Sequence, residues 1–77
     1  MGHSSRLYRD ISRSEFERVI DEWIVGKDAE RNRAILKRRL IDGITFEKLA
    51  EEFELSVRRT KTIVYNGQVK VFRHIPE

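Results

Sequence analysis

Apolar residues recur at helical spacing in four separate segments of this 77-residue chain, and a residue able to cap a helix precedes each segment. The four capping residues are Ser12, Asp28, Thr45 and Ser56. The spacing therefore predicts an all-α fold. A chain of this length holds one small domain, so we expect residues 12–77 to form a single helical domain. Residues 1–11 lack apolar periodicity and are expected to form a flexible N-terminal arm.

The first helix is predicted to be strongly amphipathic and to end near Gly26. Ser12 and Glu15 have the spacing of a capping box, while Ile11 and Phe16 are placed for a hydrophobic staple. The apolar stripe of this helix comprises Phe16, Val19, Ile20, Trp23 and Ile24. We expect this stripe, Trp23 included, to be core. The alternative is a homodimer contact through this first helix, because a small chain can carry a surplus apolar face.

The second helix is predicted to follow Asp28 and to run to Gly43, a residue suited to the position just past a helix end. Its apolar residues form one stripe and two flanking positions, Ala29, Leu36, Leu40, Ile35 and Ile41. A helix that is apolar on several sides is expected to pack against more than one neighbour.

Two further helices are separated by only three residues, Glu54 to Ser56. Thr45 is expected to cap the segment FEKLAEEF, and Ser56 the segment VRRTKTIVY. Such a pair of short helices joined by a tight turn predicts a helix-turn-helix motif at residues 45–65. Asn66-Gly67 is expected to interrupt or end the last helix, since glycine is costly in a helix interior. Residues 68–77 fit either a short wing strand or a continued helix, and we favour the helix.

The outward side of the last helix, residues 56–65, is basic and able to form hydrogen bonds. At about 100° per residue, the inward positions are Val57, Thr60, Ile63 and Val64. The outward positions are Arg58, Lys61, Thr62 and Tyr65, with Arg59 on a flank.

These side chains suit double-stranded DNA, because a helix-turn-helix places its second helix in the major groove. Arg58 and Lys61 can donate to guanine, and Thr62 can meet a thymine methyl or a base edge. Phosphate contacts demand charge or exposed N–H groups more than fine geometry. The expected backbone-contacting residues are Thr45, Ser56, Arg59, Tyr65, Lys70 and Arg73.

Positive charge is concentrated in two stretches, although the whole chain carries a net charge of only +3. Residues 27–43 and residues 56–77 are both net basic, and the acidic residues 44–55 separate them. This asymmetry favours a polyanionic partner for one face of the protein.

Composition excludes several other classes of protein. The chain has no cysteine, and its two histidines, His3 and His74, stand near opposite ends, so no metal, cofactor or disulfide is expected. Glu51 and Glu52 point about 100° apart on a helix and have no nucleophile beside them, so we expect no enzyme. No apolar run approaches the roughly 20 residues of a membrane span. A cytoplasmic protein is expected.

Residues 30–75 resemble the fourth conserved region of bacterial sigma factors and the sigma-like helix-turn-helix proteins of bacteria and phages. The resemblance rests on Arg33 to Leu36, on Asp42-Gly43, on the stretch ITFEKLAEEF and on the stretch SVRRTKTI. It implies recognition of a promoter element through the second helix of the motif and docking on RNA polymerase. The matching base-contacting positions are Val57, Arg58, Lys61 and Thr62, with Arg59, Lys37 and Arg38 as backbone contacts.

Two residues depart from the family pattern. Glu54 stands where the turn usually has glycine, and Val57 stands where many members have a polar or basic residue. No segment here matches the region with which sigma factors melt promoters, so a complete sigma factor is not expected. The sequence favours a DNA-binding transcription regulator. The alternative is a protein-interaction module that mimics region four and binds RNA polymerase or a sigma partner.

Overall fold

In a computed structural model, residues 12–75 are described and form four α-helices without a strand. Helix α1 spans Arg13–Trp23, α2 Ala29–Leu40, α3 Phe46–Phe53 and α4 Val57–Arg73. The predicted all-α class is confirmed. The predicted flexible arm, with Ile11 of the hydrophobic staple and His3, lies outside the described residues. None of the four helices is long and apolar enough to cross a lipid bilayer.

Three of the four predicted N-terminal caps are confirmed by their hydrogen bonds. Ser12 Oγ accepts from the Glu15 N–H at 3.1 Å, and Thr45 Oγ1 accepts from the Lys48 N–H at 3.2 Å. Ser56 Oγ likewise accepts from the N–H of Arg59, at 3.0 Å. Each bond satisfies one of the N–H groups that a helix start leaves without a partner, so these three residues set where α1, α3 and α4 begin.

The prediction that Asp28 caps α2 with its side chain is wrong. Asp28 precedes α2 but has a left-handed backbone, with φ 60° and ψ 22°, and its carboxylate makes no capping hydrogen bond. It lies 3.7 Å from the Arg31 guanidinium instead. The other end of α2 follows prediction. Gly43 has φ 69°, the left-handed conformation common just past a helix end, and its N–H bonds to the Arg39 carbonyl at 3.2 Å.

Helices α2 and α4 each contact the three other helices. Ile35 and Leu36 of α2 are both fully buried, and these contacts confirm that α2 packs against more than one neighbour. Residues from every helix complete the core. Its buried apolar members are Val19, Ile20, Ile24, Ile35, Leu36, Leu49, Val64, Val71 and Ile75. Leu55, in the turn between α3 and α4, packs against this core from its edge.

Helix α4 runs without interruption through Asn66-Gly67, so the predicted break there is wrong, while the helix predicted for the following residues is confirmed as far as Arg73. Gly67 is buried, and a Cβ atom at that position would overlap Cδ1 of Leu36 and lie 3.0 Å from Cδ2. Glycine therefore occurs here because α2 approaches the α4 backbone too closely for any side chain. Tertiary packing outweighs the low helix propensity of glycine.

The prediction that Trp23 belongs to the core is also wrong. Its side chain is 41% exposed, and its ring stacks on the His74 imidazole with centroids 3.6 Å apart and an interplanar angle of 5°. His74 is the cap residue at the C-terminal end of α4. The stacked pair joins the end of α1 to the end of α4 at the protein surface.

Candidate nucleic-acid interface

Helix α4 has one buried side and one exposed side along its whole length. Thr60, Val64, Gly67 and Val71 form the buried side, and the Thr60 hydroxyl donates to the Ser56 carbonyl at 2.9 Å. No buried side-chain nitrogen or oxygen among residues 12–75 lacks a partner. The side of the helix opposite these four residues is exposed.

The exposed side carries most of the residues predicted to contact DNA. Arg58, Arg59, Lys61, Thr62 and Tyr65 are all exposed. The Thr62 hydroxyl donates to the Arg58 carbonyl at 3.1 Å, so its remaining contacts are made by the methyl group and by the oxygen as an acceptor. Val57 differs from the others because it is half-buried at the first turn of α4.

Asn66 belongs to the same exposed ridge, although it is not among the residues predicted to contact DNA. Arg58, Thr62 and Asn66 follow one another at i, i+4 and i+8, so their side chains lie on one line along α4. Asn66 was not predicted because the helix was expected to be interrupted or to end at Asn66-Gly67. Extending the helical periodicity past residue 65 would have placed Asn66 on the exposed side.

A polar groove of about 580 Å³ runs between this ridge and the N-terminal end of α2. Three arginines line it, Arg58 and Arg59 from α4 and Arg31 from α2. The Arg31 Nε and Nη2 atoms donate to Asn32 Oδ1 at 3.1 and 3.0 Å, which fixes the direction of the guanidinium. The acidic Asp28 lies at the same groove, 3.7 Å from Arg31. Arg31 and Asn32 were not predicted because their stretch, ERNR, carries no signal that relates it to α4.

Lys37 and Arg38, the two predicted contacts on α2, make ion pairs within the fold. Lys37 Nζ lies 2.9 Å from Asp21 of α1. Arg38 donates to both carboxylate oxygens of Glu52, at 2.9 and 2.5 Å, and this pair joins α2 to α3. The hydrogen bond to Glu52 is the main reason why the pKa of Arg38 is raised above its ordinary value. Asp42, 4.0 Å away, adds to the same effect.

Two other arginines of α2 also contact the fold itself. Arg33 Nε donates to the Ile24 carbonyl at 2.7 Å, at the end of α1. Arg39 donates to the Ile44 carbonyl at 3.0 Å, and its guanidinium carbon lies 4.2 Å from the centre of the Phe46 ring. The two hydrogen bonds and the cation–π interaction thus connect α2 to the end of α1 and to the start of α3.

The basic residues of α4 differ from those of α2 in this respect. Within residues 12–75, none of them lies within ion-pair distance of a carboxylate; they are Arg58, Arg59, Lys61, Lys70 and Arg73. Lys61 Nζ is 5.7 Å from the Phe46 ring centre, and Lys70 and Arg73 are exposed on the second half of the helix. These five residues thus make the exposed side of α4 positively charged.

The remaining predicted residues, Thr45 and Ser56, lie at the starts of α3 and α4, where their hydroxyls act as caps. Across residues 12–75 there is no group of three or more His, Asp or Glu side chains able to hold a metal ion. Comparison with protein-family models, with curated proteins and with solved structures finds no match to this chain.

Proposed function

We propose that this protein is a transcription regulator that binds double-stranded DNA by placing α4 in the major groove. The observation that carries this proposal is the basic side of α4, on which Arg58, Arg59 and Lys61 are exposed and are not ion-paired to any carboxylate of residues 12–75. Exposed arginine and lysine on one side of a helix attract the phosphates of a duplex and can reach its base edges. Helices α3 and α4 would act as a helix-turn-helix motif.

Base recognition would come from the ridge formed by Arg58, Thr62 and Asn66. At 1.5 Å per residue this ridge is about 12 Å long, the length of roughly three to four base pairs. Arginine pairs with guanine, asparagine with adenine, and a threonine methyl with a thymine methyl. Lys61 lies beside the ridge, and Val57 would make at most an apolar contact because it is half-buried.

The groove between α2 and α4 supports a second, sequence-independent part of the interface. Arg59 on its α4 side and Arg31 on its α2 side can each donate to a backbone phosphate. Further phosphate contacts are proposed for Thr45, Ser56, Tyr65, Lys70 and Arg73. Lys37 and Arg38 remain in the proposal only as weaker contacts, because their ion pairs with Asp21 and Glu52 would first have to separate.

The resemblance to sigma region four is part of this proposal, and the turn between α3 and α4 supports it. Glu54 has φ 58° and ψ 46°, which is the left-handed conformation that the family's usual glycine adopts easily. A residue with a side chain adopts it at a cost of about 1–2 kcal/mol. The turn geometry is therefore compatible with the family despite the different residue.

The experiment that tests the proposal is selection of bound sequences from a library of random DNA duplexes with the full 77-residue chain. We expect enrichment of a motif of a few base pairs and an affinity that falls as salt is raised. A palindromic motif would indicate a dimer, in which half-sites are spaced by about one helical turn. Absence of enrichment, or binding that does not respond to salt, would contradict DNA binding.

Protein binding in place of DNA binding is a second candidate, favoured by the exposure of Trp23 and of the acidic side of α3. Trp23 is 41% exposed, and Glu47, Glu51 and Glu54 are exposed. RNA polymerase or a sigma factor would be the partner. A variant that lacks Arg58 and Lys61 decides between the two, because it should still capture purified polymerase if this candidate is right and should have lost DNA binding if the first is right.

A further inference from the structure

The second half of α4 exposes three large apolar side chains on one side. Tyr65, Val69 and Phe72 are 51%, 56% and 50% exposed. They stand at i, i+4 and i+7, so they form a continuous line about 10 Å long, which we call the apolar stripe. Scattered single apolar residues are normal at a protein surface, but three in one line are typical of a binding surface.

Neighbouring aromatic rings hold both ends of the apolar stripe in place. Tyr65 meets the Phe46 ring of α3 edge to face, with centroids 6.0 Å apart. Phe72 meets the Phe16 ring of α1 in the same manner, also at 6.0 Å. Because these contacts already restrict the two aromatic side chains, little further conformational entropy is lost when a partner covers them.

The apolar stripe has a positive charge at each end and no negative charge near it on the helix. Lys61 lies one turn before Tyr65, and Arg73 lies one turn after Val69, so Lys61, Tyr65, Val69 and Arg73 share one i+4 row. Helix α4 contains no acidic residue at all. A partner that fits this row therefore has an apolar stripe of its own with carboxylates beside it.

A second copy of this chain does not fit that description. Two α4 helices packed stripe to stripe would bring Lys61 and Arg73 of each copy near the like charges of the other, which is unfavourable. The charges therefore select a different, acidic partner.

We infer that the apolar stripe of α4 is a docking site for an amphipathic helix whose apolar face is flanked by Glu or Asp. The i, i+4 row can pack as a ridge between the side-chain rows of such a helix. The partner helix would lie on Tyr65 and Arg73, which are also proposed phosphate contacts, so the partner and a duplex would compete for α4. The inference does not require DNA binding, and it can be tested without DNA.

The test uses two synthetic helical peptides with the same leucine stripe, one flanked by glutamates and the other by lysines. We expect the glutamate peptide to bind the full chain more tightly and to shift the NMR signals of Tyr65, Val69 and Phe72. Replacing Val69, which is largely exposed, by serine should weaken that binding about fivefold to tenfold. Val25→Ser is the matched control, because Val25 is 62% exposed and lies outside α4.

A charge variant adds a measurement that does not depend on the apolar contacts. With Lys61→Gln and Arg73→Gln together, the preference for the glutamate peptide over the lysine peptide should disappear. Equal binding of the two peptides to the unmodified chain, no binding, or signal shifts confined to other helices would overturn the inference. A dimer that Val69→Ser dissociates would assign the stripe to a second copy instead, and a loss of DNA affinity in Val69→Ser would assign it to the DNA interface.

Discussion

Helices α2 and α4 carry similar positive charge in the sequence but use it differently in the structure. On α2, Lys37 and Arg38 pair with carboxylates, while Arg33 and Arg39 donate to backbone carbonyls. On α4, no basic residue pairs with a carboxylate of residues 12–75. Charge counted along a chain therefore overstates the charge available to a partner, because part of it already stabilises the fold.

The burial of the basic side chains accounts for this difference. Helices α2 and α4 each contact the three other helices. The basic side chains of α2 are half-buried, so they lie near the acidic residues and the open helix ends of its neighbours. The basic side chains of α4 are all exposed and lie away from its buried side, which is formed by Thr60, Val64, Gly67 and Val71.

The largest effect on binding is expected from Arg58→Ala, which removes a proposed base-contacting side chain from α4. Affinity for the selected DNA site should fall by about 1–3 kcal/mol, while affinity for unrelated duplexes should change less. Fluorescence anisotropy on both duplexes measures the difference. Arg18→Ala on α1 is the control, since Arg18 is exposed but lies near Glu15 and Glu22. Equal losses in the two variants would remove the distinction between α4 and the other basic surfaces.

Gly67→Ala tests the contact by which the two helices are held together. The added methyl group would overlap the buried Leu36 side chain, at a cost of about 1–3 kcal/mol. Alanine recovers roughly 1 kcal/mol in helix propensity, so a net loss of up to about 2 kcal/mol in unfolding free energy is expected. Urea unfolding followed by circular dichroism measures it. Asn66→Ala, at the exposed neighbouring position, should not destabilise, and a Gly67→Ala protein stabilised by the full gain in helix propensity would show that α2 and α4 are not so closely packed.

Much of the fold could be predicted because helix starts depend on local chemistry. Ser12, Thr45 and Ser56 are hydroxyl residues placed directly before apolar periodic segments, and each bonds within three residues of itself. The failures have a different origin. Gly67 occurs inside a helix because of Leu36, thirty-one positions earlier, and Trp23 stacks at the surface on His74, fifty-one positions later. These contacts join residues that are far apart in the sequence, so local sequence patterns do not predict them.

The residues of the candidate site also fall into two groups, those predictable from local sequence and those that depend on tertiary packing. The exposed positions Arg58, Lys61 and Thr62 followed from helical periodicity alone. Asn66 did not, because the sequence predicted that the helix would stop there, and Arg31 did not, because its approach to α4 depends on how the two helices pack. Ion pairing is equally invisible in the sequence, since Arg38 and Glu52 are fourteen positions apart.

Arg59→Gln is expected to have a smaller effect on binding than Arg58→Ala, because a phosphate contact carries no sequence information. Affinity should fall by a similar factor for the selected site and for unrelated duplexes. The slope of log affinity against log salt should decrease in magnitude by about one unit, because the variant neutralises one phosphate fewer. A titration of salt in anisotropy experiments measures the slope. An unchanged slope would place Arg59 outside the interface and leave the groove between α2 and α4 without a role in DNA binding.

The smallest effect on binding is expected from Arg38→Gln, which removes the best-paired basic side chain of α2. Because Arg38 donates to both oxygens of Glu52, the variant should lose stability and keep its DNA affinity, the reverse of Arg58→Ala. The fall in the thermal unfolding midpoint should be slight, since the pair is partly exposed, and it should diminish in high salt. Glu52→Gln is the matched variant, and it should lower the midpoint to a similar extent because it breaks the same pair. If Arg38→Gln instead weakened DNA binding as strongly as Arg58→Ala, then Arg38 would exchange Glu52 for a phosphate on binding, and both basic helices would belong to the interface.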